Sequence, residues 1–105
     1  MTEVNYMEII KSSMAGTVES SDILIMLEPK EESGIEIQLK SSVEKQFGKQ
    51  IRKVISDTLE KLEVQNVKIT ATDKGALDCT IRARVQSAVF RAAGIKENFD
   101  WEVID

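Results

Sequence analysis

Histidine is absent from this sequence of 105 residues, and cysteine and proline occur once each. Without histidine the chain lacks the Ser-His-Asp and Cys-His pairs of nucleophilic enzymes and the H-E-x-x-H zinc motif. The single cysteine excludes an internal disulfide and is typical of a reducing compartment. Aromatic residues make up 5% of the chain, which is few for a sheet that stacks nucleic-acid bases. These absences disfavour several enzyme classes and a small RNA-binding sheet domain.

Basic residues and long apolar runs are also scarce. The 14 Lys and Arg residues against 18 Asp and Glu give a net charge of −4, whereas nucleic-acid binding depends on a surplus of basic side chains. The longest aliphatic run, residues 23–27, is far shorter than the roughly 20 residues of a membrane helix. Glu3 and Glu8 stand where a signal peptide would have a basic cluster. We therefore predict a cytoplasmic protein whose partners include neither nucleic acid nor a membrane.

The chain does contain enough apolar material for one folded core. Hydrophobic residues make up 42% and charged residues 30%, and the length fits a single domain. We predict one domain spanning residues 1–105, with residues 1–13 and 95–105 as mobile termini. Met1 and Met7 are both candidate start residues, because Met7 opens a Met-Glu-Ile-Ile segment.

The most regular segment, residues 41–62, predicts a long amphipathic helix. Its apolar residues recur at spacings of three and four, which places them on one helix face. They are Val43, Phe47, Ile51, Val54, Ile55, Leu59 and Leu62. Ser41, followed three residues later by Glu44, matches a capping box, so we expect the helix to begin at Ser41.

On both sides of this helix the apolar spacing changes to two, which is typical of strands. Residues 23–27 and 35–39 alternate around a polar turn and predict one β-hairpin. Residues 67–71 and 77–85 alternate around Asp73-Lys74-Gly75 and predict a second hairpin. Residues 86–93, closed by Gly94, predict a short C-terminal helix. The predicted fold class is α+β, with two hairpins forming an antiparallel sheet and both helices packed on it in the order ββαββα.

The segment before the first long strand predicts an exposed turn. Val18 has the wrong parity to continue the buried series that starts at Ile23, and a turn over the polar residues 19–22 restores the register. This turn leaves Ser20 and Ser21 exposed on an acidic loop. With no histidine and no G-x-S-x-G elbow, neither serine is an activated nucleophile. Each is either a structural turn residue or a passive attachment point that another enzyme modifies.

Other polar residues favour structural roles over chemistry. Cys79 shares the parity of the inward residues in the last predicted strand, which favours a small core residue. Asp73 and Asp78 with Arg82 and Arg84 allow an anion site, although a charged sheet face is more often solvated surface. We predict no catalytic residue and no metal site in this chain.

Four blocks of the sequence, in this order, resemble the citrate lyase acyl carrier protein family, the gamma subunit of that enzyme. The blocks are residues 15–22 (AGTVESSD), 35–39 (IEIQL), 41–48 (SSVEKQFG) and 73–79 (DKGALDC). The family's Gly-Thr-Leu-Glu-Ser motif reads Gly16-Thr17-Val18-Glu19-Ser20 here, with Val18 in place of leucine. The resemblance covers the bulk of the chain, from Met14 to Gly94.

The resemblance implies a non-catalytic carrier. The family carries 2'-(5''-triphosphoribosyl)-3'-dephospho-coenzyme A, joined covalently through a phosphodiester to the motif serine. That serine corresponds to Ser20, with Ser21 as the alternative. The thiol of the group holds acetyl or citryl while an alpha subunit (citrate:acetyl-carrier transferase) and a beta subunit (citryl-carrier lyase) cleave citrate to acetate and oxaloacetate. A prosthetic-group transferase is the third implied partner, and a chain expressed alone is expected to lack the group.

Charged residues near the serines are candidate contacts for the arm or for partner subunits. Glu19 and Asp22 are expected to repel an anionic arm and to guide docking to basic partner surfaces. Arg82 and Arg84 are expected to contact the arm or a partner, so reversing both charges is expected to weaken assembly or turnover. The alternative function is a small α+β protein-interaction module without a prosthetic group.

Overall fold

A computed structural model of the chain describes residues 8–94. Over this range a four-stranded sheet is covered on one face by two helices, in the order β1 (Ser13–Gly16), β2 (Ile23–Pro29), β3 (Gly34–Ser41), α1 (Glu44–Lys61), β4 (Asn66–Asp73) and α2 (Asp78–Ala92). The helices pack against each other, α2 packs on β1 and β2, and α1 packs on β3. The predicted α+β class, with one sheet and two helices in a single core, is confirmed.

The strands lie in the order β1-β2-β4-β3. β1 pairs antiparallel with β2 and β2 pairs antiparallel with β4, whereas β3 pairs parallel with β4. The only hairpin between consecutive strands of the described range is therefore β1–β2, whose turn is the segment 17–22. β3, α1 and β4 form a βαβ unit, because parallel neighbours require a crossover connection.

The first predicted hairpin is wrong in its pairing, although its strands lie where the alternation placed them. Pro29 at the end of β2 faces Val67, and Gly34 at the start of β3 faces Asn66. The loop between Pro29 and Gly34 therefore passes over the beginning of β4, which lies between the two strands. β4 takes a central place because its inward face is buried along its whole length: Val67, Ile69, Ala71 and Asp73.

The second predicted hairpin is also wrong, because residues 78–92 form α2. The pair Ile81 and Val85 satisfies both periodicities, since a spacing of four fits a strand face and a helix face alike. The buried series continues at helical spacing with Ala88, Val89 and Ala92. Leu77, which the strand reading turned inward, is 70% exposed. The predicted short helix is thus the second half of α2, and Gly94 follows it with φ +76°.

The predicted helix over residues 41–62 is confirmed as α1, with a later start than expected. Glu44 is its first residue, and Val43 at the N-cap makes no side-chain capping bond. The Ser41 hydroxyl instead accepts a hydrogen bond from the Val43 N–H at 3.1 Å and donates one to Asp73 Oδ2 at 2.9 Å. The capping box is therefore wrong, since Ser41 ends β3 and holds it to the end of β4.

Residues 8–12 precede β1 and lie against α2. Ile9 is buried in the core, and the N–H groups of Ile10 and Lys11 donate to the Ala92 carbonyl at 3.0 and 3.2 Å. The described part of the predicted mobile N-terminus is thus attached to the domain. Residues 1–7 and 95–105, including both start residues, lie outside the described range. Within that range no helix is long and apolar enough to cross a bilayer.

Candidate functional site

The connection between β1 and β2 contains the predicted turn. The Asp22 N–H donates to the Glu19 carbonyl at 3.1 Å, which closes a four-residue turn with Ser20 and Ser21 at its centre. Ser21 has φ +65°, a conformation that only a few per cent of non-glycine residues adopt. A positive φ at this third position is the mark of a type II turn. Ser20 and Ser21 are both exposed.

The loop between β4 and α2 holds this turn on one side. The Ser21 N–H donates to the Lys74 carbonyl at 2.8 Å, and the Lys74 N–H donates to the Asp22 carbonyl at 2.9 Å. The loop is itself shaped by Asp73, whose buried carboxylate accepts from the N–H groups of Gly75 and Ala76 at 3.1 and 3.0 Å. The turn around Ser20 is therefore bonded to a second ordered loop.

Asp22 holds the turn on the other side through an ion pair with α2. Arg84 donates from Nε to Asp22 Oδ1 at 3.0 Å and from Nη2 to Oδ2 at 2.9 Å, the two-pronged geometry that suits a guanidinium. Asp22 is only 9% exposed and also accepts from the Thr17 hydroxyl and the Ile23 N–H, both at 2.7 Å. The hydrogen bonds from Arg84 are the main reason that the pKa of Asp22 falls from 3.8 to about 2; burial opposes this, while Thr17 and Ile23 reinforce it.

Gly16 and Thr17 complete the frame of the turn. Gly16 has φ +96°, and a Cβ there would overlap the Ile23 carbonyl and approach the Arg84 Cδ to 3.2 Å. The Thr17 hydroxyl, besides donating to Asp22, accepts from the Glu19 N–H at 3.2 Å. The absence of a side chain at Gly16 thus leaves room for the Arg84 stem, and Thr17 ties the first half of the turn to the ion pair.

The structure separates the candidate contact residues into two groups. Glu19 and Arg82 are exposed, with no ion pair inside the described range. Asp22 and Arg84 bind each other, so the negative charge expected on the loop is balanced by an internal partner. The residues of the candidate anion site do not form one cluster. Asp73 bonds to its own loop, and Asp78 accepts a hydrogen bond at 2.9 Å from the side-chain amide of Gln50, which lies on α1.

Cys79 does not lie in the core, as its strand parity had predicted. It is exposed in the first turn of α2. Nearby, a groove of about 790 Å³ runs between the start of α1 and the loop before α2. Its walls include Phe47, which is 50% exposed, and Leu77. Among residues 8–94, no group of three or more His, Cys, Asp or Glu side chains is placed to hold a metal ion.

Sequence reasoning missed the roles of Gly16, Thr17 and the Asp22–Arg84 pair. Asp22 and Arg84 are 62 positions apart, so no local pattern connects them. Reading residues 77–85 as a strand placed Arg84 on an outer sheet face. A helical reading of the same segment would have directed Arg84 towards the sheet, because it lies three residues after the buried Ile81 and four before the buried Ala88.

Comparison with known proteins gives consistent results. The sequence model of the family described as malonate decarboxylase delta subunit (MdcD) matches residues 10–92. The citrate lyase acyl carrier protein of Lacticaseibacillus casei is 61% identical over 99 residues, which is 94% of this chain and 96% of the relative. The protein of the same name from Streptococcus mutans is 54% identical over the same coverage.

A solved structure shows the same fold. A chain of the Pseudomonas malonate decarboxylase hetero-tetramer in complex with malonate superposes with a TM-score of 0.67. The two chains are 19% identical, and the superposition covers 80% of this chain and 86% of that one. At this identity the likeness concerns the fold, whereas the identity to the curated relatives extends over nearly the whole sequence. The chain belongs to the citrate lyase acyl carrier protein family.

Proposed function

We propose that this acyl carrier serves a citrate lyase complex and carries its coenzyme-A-derived group on Ser20. The observation that supports this most directly is the exposure of Ser20 at the tip of a turn that is bonded on both sides. A carrier needs an accessible hydroxyl on a stable domain and no general base of its own. The absence of histidine agrees with that requirement.

The residues around Ser20 fit a large covalent substituent. Ser20 is the second residue of the turn, and no hydrogen bond to its hydroxyl comes from residues 8–94. Ser21 is also exposed, but its backbone is bonded to Lys74 and strained by its positive φ. Ser20 therefore has the less constrained backbone of the two serines, which supports it as the attachment residue.

The linkage defines the chemistry at Ser20. The Ser20 Oγ would attack the α-phosphorus of the triphosphoribosyl precursor, forming a P–O bond while the bond to the outer phosphates breaks and pyrophosphate leaves. The attached group would therefore keep one of the three phosphates, as a phosphoribosyl group. The hydroxyl proton would pass to a base of the prosthetic-group transferase, since this chain has no histidine to accept it. Once bound, the group would supply a thiol that holds acetyl or citryl as a thioester.

The chain's own contribution to turnover is presentation. The fold keeps Ser20 at one end of the sheet, and a long tether gives the thiol a high effective concentration at two active sites, those of the alpha and beta subunits. Of the four charged candidate contacts, Glu19 and Arg82 are the two that are exposed and available to these subunits. Asp22 and Arg84 contribute to the surface as a neutral pair.

The experiment is the intact mass of the protein from its native host grown on citrate, followed by peptide mapping. We expect a mass increase equal to a phosphoribosyl-dephospho-coenzyme A group, located at Ser20. Ser20→Ala should abolish it. Ser21→Gly is the matched control, because glycine tolerates the positive φ, and should retain it. If Ser20→Ala is modified and Ser21→Gly is not, the attachment residue is Ser21. If the wild type is unmodified, the carrier proposal fails and the alternative, an interaction module without a prosthetic group, is supported.

The substrate is tested in extracts of the same host. The curated relatives are named for citrate lyase, while the family description and the solved structure are named for malonate decarboxylase. With Ser20→Ala as the only copy, we expect citrate-dependent oxaloacetate formation to fall to background and to recover when modified wild-type chain is added. Recovery of malonate consumption instead would assign the carrier to a decarboxylase.

A further inference from the structure

Every residue that flanks Ser20 in the turn is bonded to the fold, and the bonds converge on one ion pair. The Glu19 N–H bonds to the Thr17 hydroxyl, which itself donates to Asp22. The Ser21 N–H and the Asp22 carbonyl bond to Lys74. Asp22 takes part in most of these bonds. Its backbone N–H closes the turn, and its carboxylate accepts hydrogen bonds from Thr17 and Arg84.

The ion pair is suited to a positioning role because it joins parts of the chain that are distant in sequence. Asp22 stands at the end of the turn, and Arg84 stands in the middle of α2, one residue from the fully buried Val85. The Asp22 side chain is 13% exposed and that of Arg84 is 40% exposed. A two-pronged, charge-assisted bond in such a partly dry site is stronger than an exposed ion pair and constrains direction as well as distance.

We propose that Asp22 and Arg84 are positioning residues that hold the turn in the one conformation from which the modifying enzyme accepts Ser20. This inference rests on the proposed function of Ser20 as the attachment residue. Without the pair, the turn would sample several conformations, and the enzyme would have to select or order one of them on binding. That ordering cost appears as weaker binding of the carrier, with the chemical step unchanged once the carrier is bound.

A direct contact between Arg84 and the modifying enzyme is the rival explanation, because part of the guanidinium faces solvent. The two explanations differ for Asp22→Asn. This variant keeps the Arg84 charge and releases the side chain, so a direct contact would persist, whereas the turn would lose its anchor. Arg84→Gln removes both the direct contact and the anchor of the turn. Arg84→Lys keeps the charge without the two-pronged geometry.

The assay uses purified, unmodified full-length chain, added to extract of the native host growing on citrate. Intact-mass spectrometry follows the modified fraction with time at several carrier concentrations. Arg91→Gln is the matched control, because Arg91 is also on α2 and donates a hydrogen bond, at 2.7 Å to the Met14 carbonyl, but lies away from the turn. All variants are compared below their melting temperatures, established by circular dichroism.

We expect Arg84→Gln and Asp22→Asn to lower kcat/KM for modification by about tenfold, mostly through KM, as loss of a charge-assisted bond implies. Arg84→Lys should fall between them and the wild type, and Arg91→Gln should match the wild type. If Asp22→Asn is modified with the kcat/KM of the wild type while Arg84→Gln has a lowered kcat/KM, the positioning role is refuted and a direct contact of Arg84 with the enzyme is supported. Equal slowing by Arg91→Gln would overturn it in favour of a general loss of charge or stability.

A second readout does not involve the modifying enzyme. Amide hydrogen exchange by NMR is expected to show faster exchange at Ser21 and Lys74 in Arg84→Gln, with unchanged exchange in the core of β4. If these amides exchange as in the wild type, the pair does not order the turn and the inference fails. A wild type that gains no mass in the extract would refute the proposed function itself, an outcome separate from any difference between variants.

Discussion

Gly16 shows how one missing side chain shapes the site. A Cβ at Gly16 would overlap the Ile23 carbonyl and crowd the Arg84 stem, whereas a Cβ at Gly75 would meet nothing within 4 Å. Both glycines have similar positive φ values, +96° and +91°. A comparison of alanine substitutions at the two glycines therefore separates the cost of backbone strain from the cost of steric overlap.

We expect Gly75→Ala to lower the free energy of unfolding by about 1–2 kcal/mol, the cost of an L-residue in a left-handed conformation. Gly16→Ala should cost more than Gly75→Ala, because strain and overlap act together. Urea denaturation of both variants measures the difference. Equal losses would show that the close approach at Gly16 relaxes without cost.

Asp22 provides a pH dependence that can be assigned to one ion pair. Its pKa is lowered in the folded protein, from 3.8 to about 2, chiefly by the hydrogen bonds from Arg84. A lowered folded-state pKa stabilises the protein fully above pH 3.8, and this contribution disappears as the pH falls towards 2. Asp22→Asn lacks a titrating group and should be less stable than the wild type at pH 7, by about 1–3 kcal/mol.

The measurement is urea denaturation of the wild type and Asp22→Asn at several pH values. The difference in unfolding free energy between them should be constant from pH 7 to about 5 and should narrow between pH 4 and 2, the window set by the two pKa values. A difference that stays constant down to pH 2 would show that the Asp22 pKa is not lowered.

At the scale of elements, Ser41 links the ends of two strands, β3 and β4, and does not cap α1. The Ser41 hydroxyl donates to the buried Asp73 carboxylate, and the N-cap of α1 has no side-chain bond. We expect Ser41→Ala to cost about 1–2 kcal/mol because it removes a bond to a buried charge. Glu44→Gln should cost only a few tenths, its effect on the helix dipole. Thermal unfolding of both variants measures these costs. A large loss of stability in Glu44→Gln would support the capping box that the sequence predicted.

The elements that the sequence predicts correctly are those whose pattern is local. Residues 43–62, which are α1 and its two cap residues, have seven apolar positions at helical spacing. The apolar residues of β2, β3 and β4 alternate, so each segment carries its own evidence. The turn at residues 19–22 was predictable from the parity conflict at Val18, which is 55% exposed. The exposure of Ser20 followed from that turn, whereas its role as the attachment residue comes from the family resemblance and stays a prediction.

The errors arise where a local pattern is ambiguous or where distant parts of the chain compete. Ile81 and Val85 fit a strand and a helix equally, and only the positions after Val85 distinguish them. Insertion of β4 between β2 and β3 is set by tertiary packing, since β4 buries alternate side chains along its whole length. The Asp22–Arg84 bond depends on both outcomes, so it was beyond any local reading.

At the scale of the whole molecule, the turn that contains Ser20 and Ser21 joins an edge strand to a central strand. β1 lies at one edge of the sheet, while β2 and β4 occupy the centre with fully buried side chains such as Ile25 and Ile69. Most of the bonds that hold the turn are on the side of β2 and involve Ser21, Asp22 and Lys74. On the side of β1, the Thr17 hydroxyl bonds to Asp22. Opening of β1 therefore would leave Ser20 attached to the stable part of the domain.

This arrangement predicts an order of amide protection in native-state hydrogen exchange. Amides bonded across the central β2–β4 pair should exchange only with global unfolding, and those bonded across the β1–β2 pair should exchange through openings of lower free energy. The Ser21 amide should be more protected than those of β1. Exchange in increasing urea gives each opening free energy separately. If Ser21 exchanged together with β1, the hairpin would open as one unit and Ser20 would lose its anchor whenever the edge strand opened. Protection of Ser21 above β1 would mean that the β2 side alone keeps Ser20, the proposed attachment residue, in place.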